Sequence, residues 1–217
     1  MSSQAAQTNM IKQQLRTGNI VDQSILDLFD NIPRGDFVPP HYKNFANSDL
    51  QIPLLHEQRM MTPLEEATVL QALQLNGHEC VLEIGTGTGF LTAMLSQLCQ
   101  KVISIDYYED FTTAAKLSLH AHHCNNVELY TGDASGGWLE QAPYDVIIFT
   151  GGIDELTESH RLQLIPGGKL VAIIGKESAM QAQLHTVDHH NNWQVKVLFE
   201  TNLPQLINKS KPKHFVF

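Results

Sequence analysis

The sequence predicts an α/β protein: a mostly parallel seven-stranded sheet with an antiparallel C-terminal hairpin, preceded by a helical N-terminal extension. Three observations predict it. Three alternating glycines interrupt an apolar run at 81–92 and give way to a helix-compatible pattern. Further short apolar runs, each closed by an acid or a small residue, alternate with helical segments, as parallel strands joined by crossovers do. Near the C-terminus two strand-like runs flank His189-His190-Asn191-Asn192, which has the composition of a hairpin turn.

The elements follow in order. Met10-Ile11-Lys12-Gln13-Gln14-Leu15 starts a helix that Gly18 interrupts, and Asp22 opens a second helix reaching Asn31. Pro33, Pro39, Pro40 and Pro53 then forbid long regular elements. Thr62 caps and Pro63 opens a helix through Leu73. Strands are expected near 79–84, 101–106, 127–131, 144–150, 168–174, 181–188 and 193–200, with a helix from about Tyr108 between the second and third. Phe215-Val216-Phe217 is expected to add a short terminal strand.

The glycine segment Val81-Leu82-Glu83-Ile84-Gly85-Thr86-Gly87-Thr88-Gly89-Phe90 carries the chemistry. A Cβ at any of these glycines would fill space that a ligand needs. The helix behind them offers unpaired N–H groups and the positive end of its dipole. A dinucleotide-binding turn, G-x-G-x-x-G, would place its third glycine where Phe90 stands. Here the third glycine comes one residue early, and Glu83 precedes the first by two, giving E-x-G-x-G-x-G. Asp106 closes the next strand about twenty residues on, where a carboxylate can accept hydrogen bonds from ribose hydroxyls.

This pattern resembles motif I of the S-adenosylmethionine-dependent methyltransferases, which implies a Rossmann-like class I methyltransferase fold and S-adenosyl-L-methionine as cofactor. The resemblance assigns cofactor binding to Glu83, Gly85, Thr86, Gly87 and Gly89, and to Asp106 with Tyr107. Asp133 and Ala134, in the Gly132-Asp133-Ala134 triplet, match the segment that meets the adenine, and Thr150 ends a buried strand beside Gly151-Gly152.

The N-terminal half narrows the family. The Gln13-Gln14-Leu15 helix, followed by Ile32-Pro33-Arg34-Gly35-Asp36-Phe37-Val38-Pro39, resembles the protein-L-isoaspartate O-methyltransferases. Ala46, Asp49, Ile52-Pro53, Tyr144–Thr150 and Leu164–Val171 continue the likeness, so the chain is identified as a divergent member from about Met10 to Gly175. The resemblance implies residues 1–61 as a substrate-side extension and 62–217 as the cofactor-binding domain. It also implies methylation of an isoaspartyl carboxylate in protein repair.

One motif departs. Where the family carries G-x-G-Q-T-I-S-x-P, this chain reads Leu55-His56-Glu57-Gln58-Arg59-Met60-Met61-Thr62-Pro63. Met61 stands at the serine position, and a thioether cannot donate a hydrogen bond. The departure predicts weak or absent turnover on isoaspartyl peptides. It keeps open another small-molecule or protein acceptor, or a cofactor-binding relative without catalysis.

No catalytic residue is assigned, because a carboxylate acceptor is already ionised at neutral pH and needs no base. The substrate-pocket candidates are His56, Arg59, Met60, Met61 and Thr62. Arg59 is either a bidentate partner for a carboxylate or a surface arginine beside Glu57. His56 is the nearest base for a hydroxyl or amine acceptor. Met60 and Met61 are expected to pack beneath the cofactor, and Thr62 to cap its helix.

Composition bounds the partners. The 217 residues carry a formal charge of −9, which argues against nucleic acid, although Lys209-Ser210-Lys211-Pro212-Lys213 is locally basic. The acceptor is expected to be a protein, a peptide or a small carboxylate. Cys80, Cys99 and Cys124 are far apart, as suits a reducing cytoplasm, and they make no zinc framework. Eleven histidines include His120, His122 and His123 as well as His189-His190, yet no suitably spaced carboxylate completes a metal site. Neither a secretory signal nor a membrane span is expected.

Overall fold

The computed structural model describes residues 3–176, 179–190 and 192–207. The basic tail and the expected strand at 215–217 lie outside these residues. Seven strands form one sheet: β1 (Cys80–Ile84), β2 (Lys101–Asp106), β3 (Val127–Thr131), β4 (Tyr144–Ile153), β5 (Leu164–Lys176), β6 (Ala179–Val187) and β7 (Trp193–Thr201). Their order is β3-β2-β1-β4-β5-β6-β7. The first five run parallel, and β6 pairs antiparallel with both β5 and β7.

Burial explains why the parallel strands read as unbroken apolar runs. Adjacent residues of a strand point to opposite faces, and here both faces are covered. Val81, Val102 and Val146 enter one core, while Leu82, Ile103 and Ile147 enter the other. The first core also holds Met10, Leu15, Phe29 and Phe37 from the N-terminal extension. Glu83 falls on that same face and is fully buried there.

The helices are α1 (Ser3–Met10), α2 (Gln23–Asn31), α3 (Pro63–Leu73), α4 (Phe90–Ser96), α5 (Glu109–Ala121) and the single turn α6 (Glu158–Arg161). The first helix corrects the sequence expectation: it begins at Ser3 and continues beyond Met10 as a π-helical stretch, Ile11–Leu15. Its polar first turns carry no apolar stripe, so nothing in the pattern announces them. Asp22 caps α2 by accepting from the Ser24 amide at 2.9 Å. Thr62 and Glu65 form a reciprocal capping box on α3, at 3.2 and 2.7 Å.

The expected strands are found within a few residues of their bounds; β4 runs on to Ile153, and β5 starts earlier than expected, at Leu164. His122 packs on Phe37 and lies 3.3 Å from the Asp36 carboxylate, and His189-His190 sits in the β6–β7 turn. Among the described residues, no group of histidines, cysteines or carboxylates could hold a metal ion, and no helix is long and apolar enough to cross a membrane.

Candidate active site

A crevice opens at the carboxyl ends of β1, β2 and β4, the place where a parallel α/β sheet leaves room for ligands. Its outer part is lined by Gly85, Gly87, Asp106, Tyr108, Phe111, Thr150 and Gly151, with Leu54, Gln58 and Arg59 above and Leu206 and Ile207 to one side. Its inner part runs beneath Arg59, Met60 and Met61 to Glu66, Glu83, Thr86 and Thr88.

The loop between β1 and α4 is held by its own polar groups. Glu83 is fully buried; its Oε2 accepts from Thr92 at 2.5 Å and from Ser104 at 2.6 Å. Ser104 also meets the Thr86 hydroxyl at 2.6 Å, so strand, loop and helix share one network. Oε1 of Glu83 is buried without a hydrogen-bond partner in the described structure. Burial pushes the Glu83 carboxyl up to about 7, against the two hydroxyl bonds, and the charges of Asp106 and Glu66 add to the rise.

Asp106 accepts from the Gly87 amide at 2.8 Å and from the Tyr108 amide at 3.0 Å, tying the glycine loop to the start of α5. Burial raises its carboxyl above the usual range, while these amides lower it. Gly85 and Gly87 have φ of 102° and 53°, a left-handed backbone that costs other residues energy.

The predicted residues do not all meet. Glu83, Gly85, Thr86, Gly87, Asp106 and Thr150 come together, joined by Arg59, Met60 and Met61. The Thr150 hydroxyl is already engaged, donating to the carbonyls of Ile84 and Gly85 at 3.0 and 2.6 Å. Gly89 serves packing: a Cβ there would lie 3.1 Å from that of Ala115 on α5. Tyr107 stands edge-on to Tyr108, outside the crevice lining. Asp133 lines a neighbouring depression and accepts from the Ser135 amide and hydroxyl at 3.0 and 2.6 Å, while Ala134 is buried in the core.

A short hairpin, Ile52–Pro53 against Arg59–Met60, hangs over the loop. His56 and Glu57 turn it with φ of 55° and 59°. His56 does not line the crevice; its ring stacks on Tyr108 and its Nε2 lies 2.8 Å from Asp110. Arg59 lines both parts of the crevice and has no ion-pair partner among the described residues, so it is not paired with Glu57. Thr62 is spent on capping α3. Met61 is buried, and its carbonyl accepts from Arg34.

Sequence reasoning did not assign Glu66, Tyr108, Phe111 or Leu206 to the site. Tyr108 adjoins Asp106 and was within reach of the strand-end argument. Leu206 carries no local signal, because only the return of the chain past Gly152 brings it there, through hydrogen bonds from Gly152 to Pro204 and from Leu206 to Gly152.

Comparison with known proteins agrees with this geometry. The family model for protein-L-isoaspartate(D-aspartate) O-methyltransferase matches residues 5–204. A protein-L-isoaspartate O-methyltransferase 1 of Rhodopseudomonas palustris is 35% identical over 177 residues, covering 82% of this chain and 72% of the relative. One from an Anaeromyxobacter species is 36% identical over 174 residues, covering 80% and 82%. A solved protein-L-isoaspartate O-methyltransferase structure superposes with a TM-score of 0.78 at 26% identity, covering 93% of this chain; the chain spans 66% of that structure's length. A Plasmodium falciparum structure of the same description, in complex with S-adenosyl-L-homocysteine, shares the fold at a TM-score of 0.78 and 16% identity, covering 95% of this chain and 99% of its own.

Sheet, loop and crevice together define a class I, Rossmann-like methyltransferase that uses S-adenosylmethionine. The residues fit that cofactor: a buried acid with a bare oxygen suits a cationic ligand, and Gly87 leaves open space where the loop lines the crevice, whereas a Cβ at Gly85 would meet the Thr150 hydroxyl. The chain belongs to the protein-L-isoaspartate(D-aspartate) O-methyltransferase family.

Proposed function

We propose that this chain methylates the carboxylate of isoaspartyl residues in damaged proteins and peptides, with Arg59 in place of the missing serine hydroxyl as the group that holds the acceptor. The observation that carries this reading is Arg59 itself. Its side chain is exposed, has no ion-pair partner among the described residues, and lines both parts of the crevice. A guanidinium matches a carboxylate with two parallel N–H donors.

S-adenosylmethionine supplies an activated methyl group and leaves the protein the tasks of placement and exclusion of water. Gly85 and Gly87 give the backbone close approach, and Asp106 orients the hydroxyls at one end. Met60 packs over the loop, with the Thr88 hydroxyl 3.8 Å from its sulfur. Leu54, Phe111 and Leu206 wall the mouth with apolar surface. No general base is required, in keeping with the engagement of His56 elsewhere. Residues 1–61 serve as the acceptor-side extension, since the hairpin that carries Arg59 belongs to them.

Burial of Met61 at the serine position favours a second reading, in which the acceptor is a different carboxylate. Labelled methyl transfer to an isoaspartyl peptide and to its ordinary aspartyl twin separates the two. Isoaspartyl-selective turnover that falls at least tenfold in Arg59→Ala, mainly through KM, is the expected result. No transfer to either peptide, by a protein that binds S-adenosylhomocysteine, would reject the isoaspartyl reading.

A further inference from the structure

The connection after β3 is pinned by two buried side chains from a distant turn. It leaves the sheet beside Asp106, where the Gly132 amide donates to the Asp106 carbonyl at 2.8 Å. Residues 133 and 135–140 then line the depression next to the crevice. Surface connections of this kind are usually mobile. Here His160 of α6 and Gln163 just beyond it, 3% and 0% exposed, hold the backbone from beneath. Nε2 of His160 lies 2.8 Å from the Ser135 carbonyl. Gln163 donates to the Gly136 carbonyl at 3.0 Å and accepts from the Trp138 amide at 2.6 Å. Gly137 has a φ of 93°, and a Cβ there would collide with the Gln163 amide. Residues 135 to 138 are thus fitted one by one to His160 and Gln163.

The same contacts fix the protonation state of His160. A carbonyl only accepts, so Nε2 carries the proton and donates to Ser135. Nδ1 accepts from the Thr157 amide at 3.1 Å, with the Thr157 hydroxyl beside it at 3.4 Å. An imidazolium would turn a second N–H toward that amide. Burial acts in the same direction and pushes the imidazole below its ordinary range. Phe149 of β4 meets the ring edge-on. The charged side chains of the segments around it are Asp133 and Glu140 on the connection, Asp145 on β4, and Glu158 and Arg161 on α6.

We propose that His160 and Gln163 are positioning residues that hold the 133–138 connection as a platform for the base of the cofactor, with neutral His160 as its pin. The inference rests on the cofactor reading of Asp106 and not on the identity of the acceptor. A ligand whose ribose hydroxyls lie at Asp106 carries its base over the adjoining strand end, and β3 ends there. The depression also has the room, about 370 Å³ against about 60 Å³ in the outer crevice. A rigid platform costs the ligand less ordering on binding than a mobile connection does.

Calorimetry with S-adenosylhomocysteine, and by displacement with S-ribosylhomocysteine, which lacks the base, tests this. In His160→Leu, affinity for S-adenosylhomocysteine is expected to fall about three- to tenfold, the range for one lost hydrogen bond, and affinity for the base-free ligand to change less than about twofold. His160→Gln keeps an N–H donor near the Nε2 position and cannot titrate, so it should retain wild-type affinity. Acidification from about pH 7.5 to about pH 5 should weaken S-adenosylhomocysteine binding at least about threefold more in the wild type than in His160→Gln. The acids around the site are common to both proteins and cancel in that comparison. Equal losses for the two ligands, or no loss in His160→Leu, would leave His160 a packing residue and overturn the proposal. Should His160→Leu not fold, the wild type and His160→Gln decide it alone, and superimposable pH profiles would overturn it as firmly. Wild-type protein that binds both ligands equally would show that the base has no platform here.

Discussion

The imidazole of His56 lies flat on the phenol ring of Tyr108, with centroids 3.8 Å apart and planes 7° from parallel. His56 forms the tip of the hairpin that carries Arg59, and Tyr108 N-caps α5 and lines the crevice. The stack therefore closes the hairpin onto the cofactor side of the sheet, with Phe111 edge-on to both rings. Tyr108→Ala is expected to loosen this latch by about 0.5–1.5 kcal/mol. Stopped-flow measurement should show S-adenosylhomocysteine leaving several-fold faster, with little change in association. Unchanged dissociation would mean that the stack does not hold the hairpin.

Asp106 has two tasks that substitution can separate. It accepts from two backbone amides that fasten the loop, and it faces the crevice. Asp106→Ala should weaken S-adenosylhomocysteine binding by about 1.5–3 kcal/mol and lower the melting temperature as well, because two N–H groups lose their acceptor. Asp106→Asn can reposition a carbonyl oxygen and should recover part of the stability with little of the affinity. Calorimetry that finds wild-type affinity in Asp106→Ala would exclude this acid from the cofactor site.

Stability of the ligand-free protein should depend on pH through Glu83. Burial raises its carboxyl from 4.5 to about 7, so between those values the folded state keeps a proton that the unfolded state has released. Stability then falls as pH rises from about 4.5 to 7, and the full cost stands above 7. Glu83→Gln removes this loss, a gain on the order of 3 kcal/mol at pH 8 relative to pH 4.5. Glu66 contributes in the same sense, and His160, whose imidazole burial pushes down, in the opposite one. The difference between wild-type and Glu83→Gln melting curves therefore isolates Glu83, and parallel curves from pH 4.5 to 8 would contradict the assignment.

Met61 marks where this chain leaves its family. Its side chain is buried in the core that α3 shares with the N-terminal extension. Met61→Ser is expected to raise turnover on isoaspartyl peptides several-fold while lowering stability by about 2–4 kcal/mol, the usual cost of emptying a buried site. Single-turnover assays at saturating cofactor separate the two effects. Turnover that stays flat or falls in a folded variant would show that a hydroxyl at this position does not serve the reaction.

Much of this protein is determined locally and was legible in the sequence. Short unbroken apolar runs placed the parallel strands, because both their faces are buried, and helical patterns with the distinctive caps at Asp22 and Thr62 placed the helices. The acid and glycines of Glu83–Gly89 identified the loop, since few residues tolerate that backbone. Local pattern did not determine which residues share a cavity. Glu66 meets Arg34 across 32 residues of sequence, and Leu206 reaches Gly151 only after the chain has returned over β4. Gly89 shows the converse: a motif position whose glycine is required by the packing of α4 on α5. Backbone propensity acts within a turn or two of chain, whereas a buried charge is tolerated only where the fold delivers its counter-charge, and that pairing is a property of the tertiary structure alone.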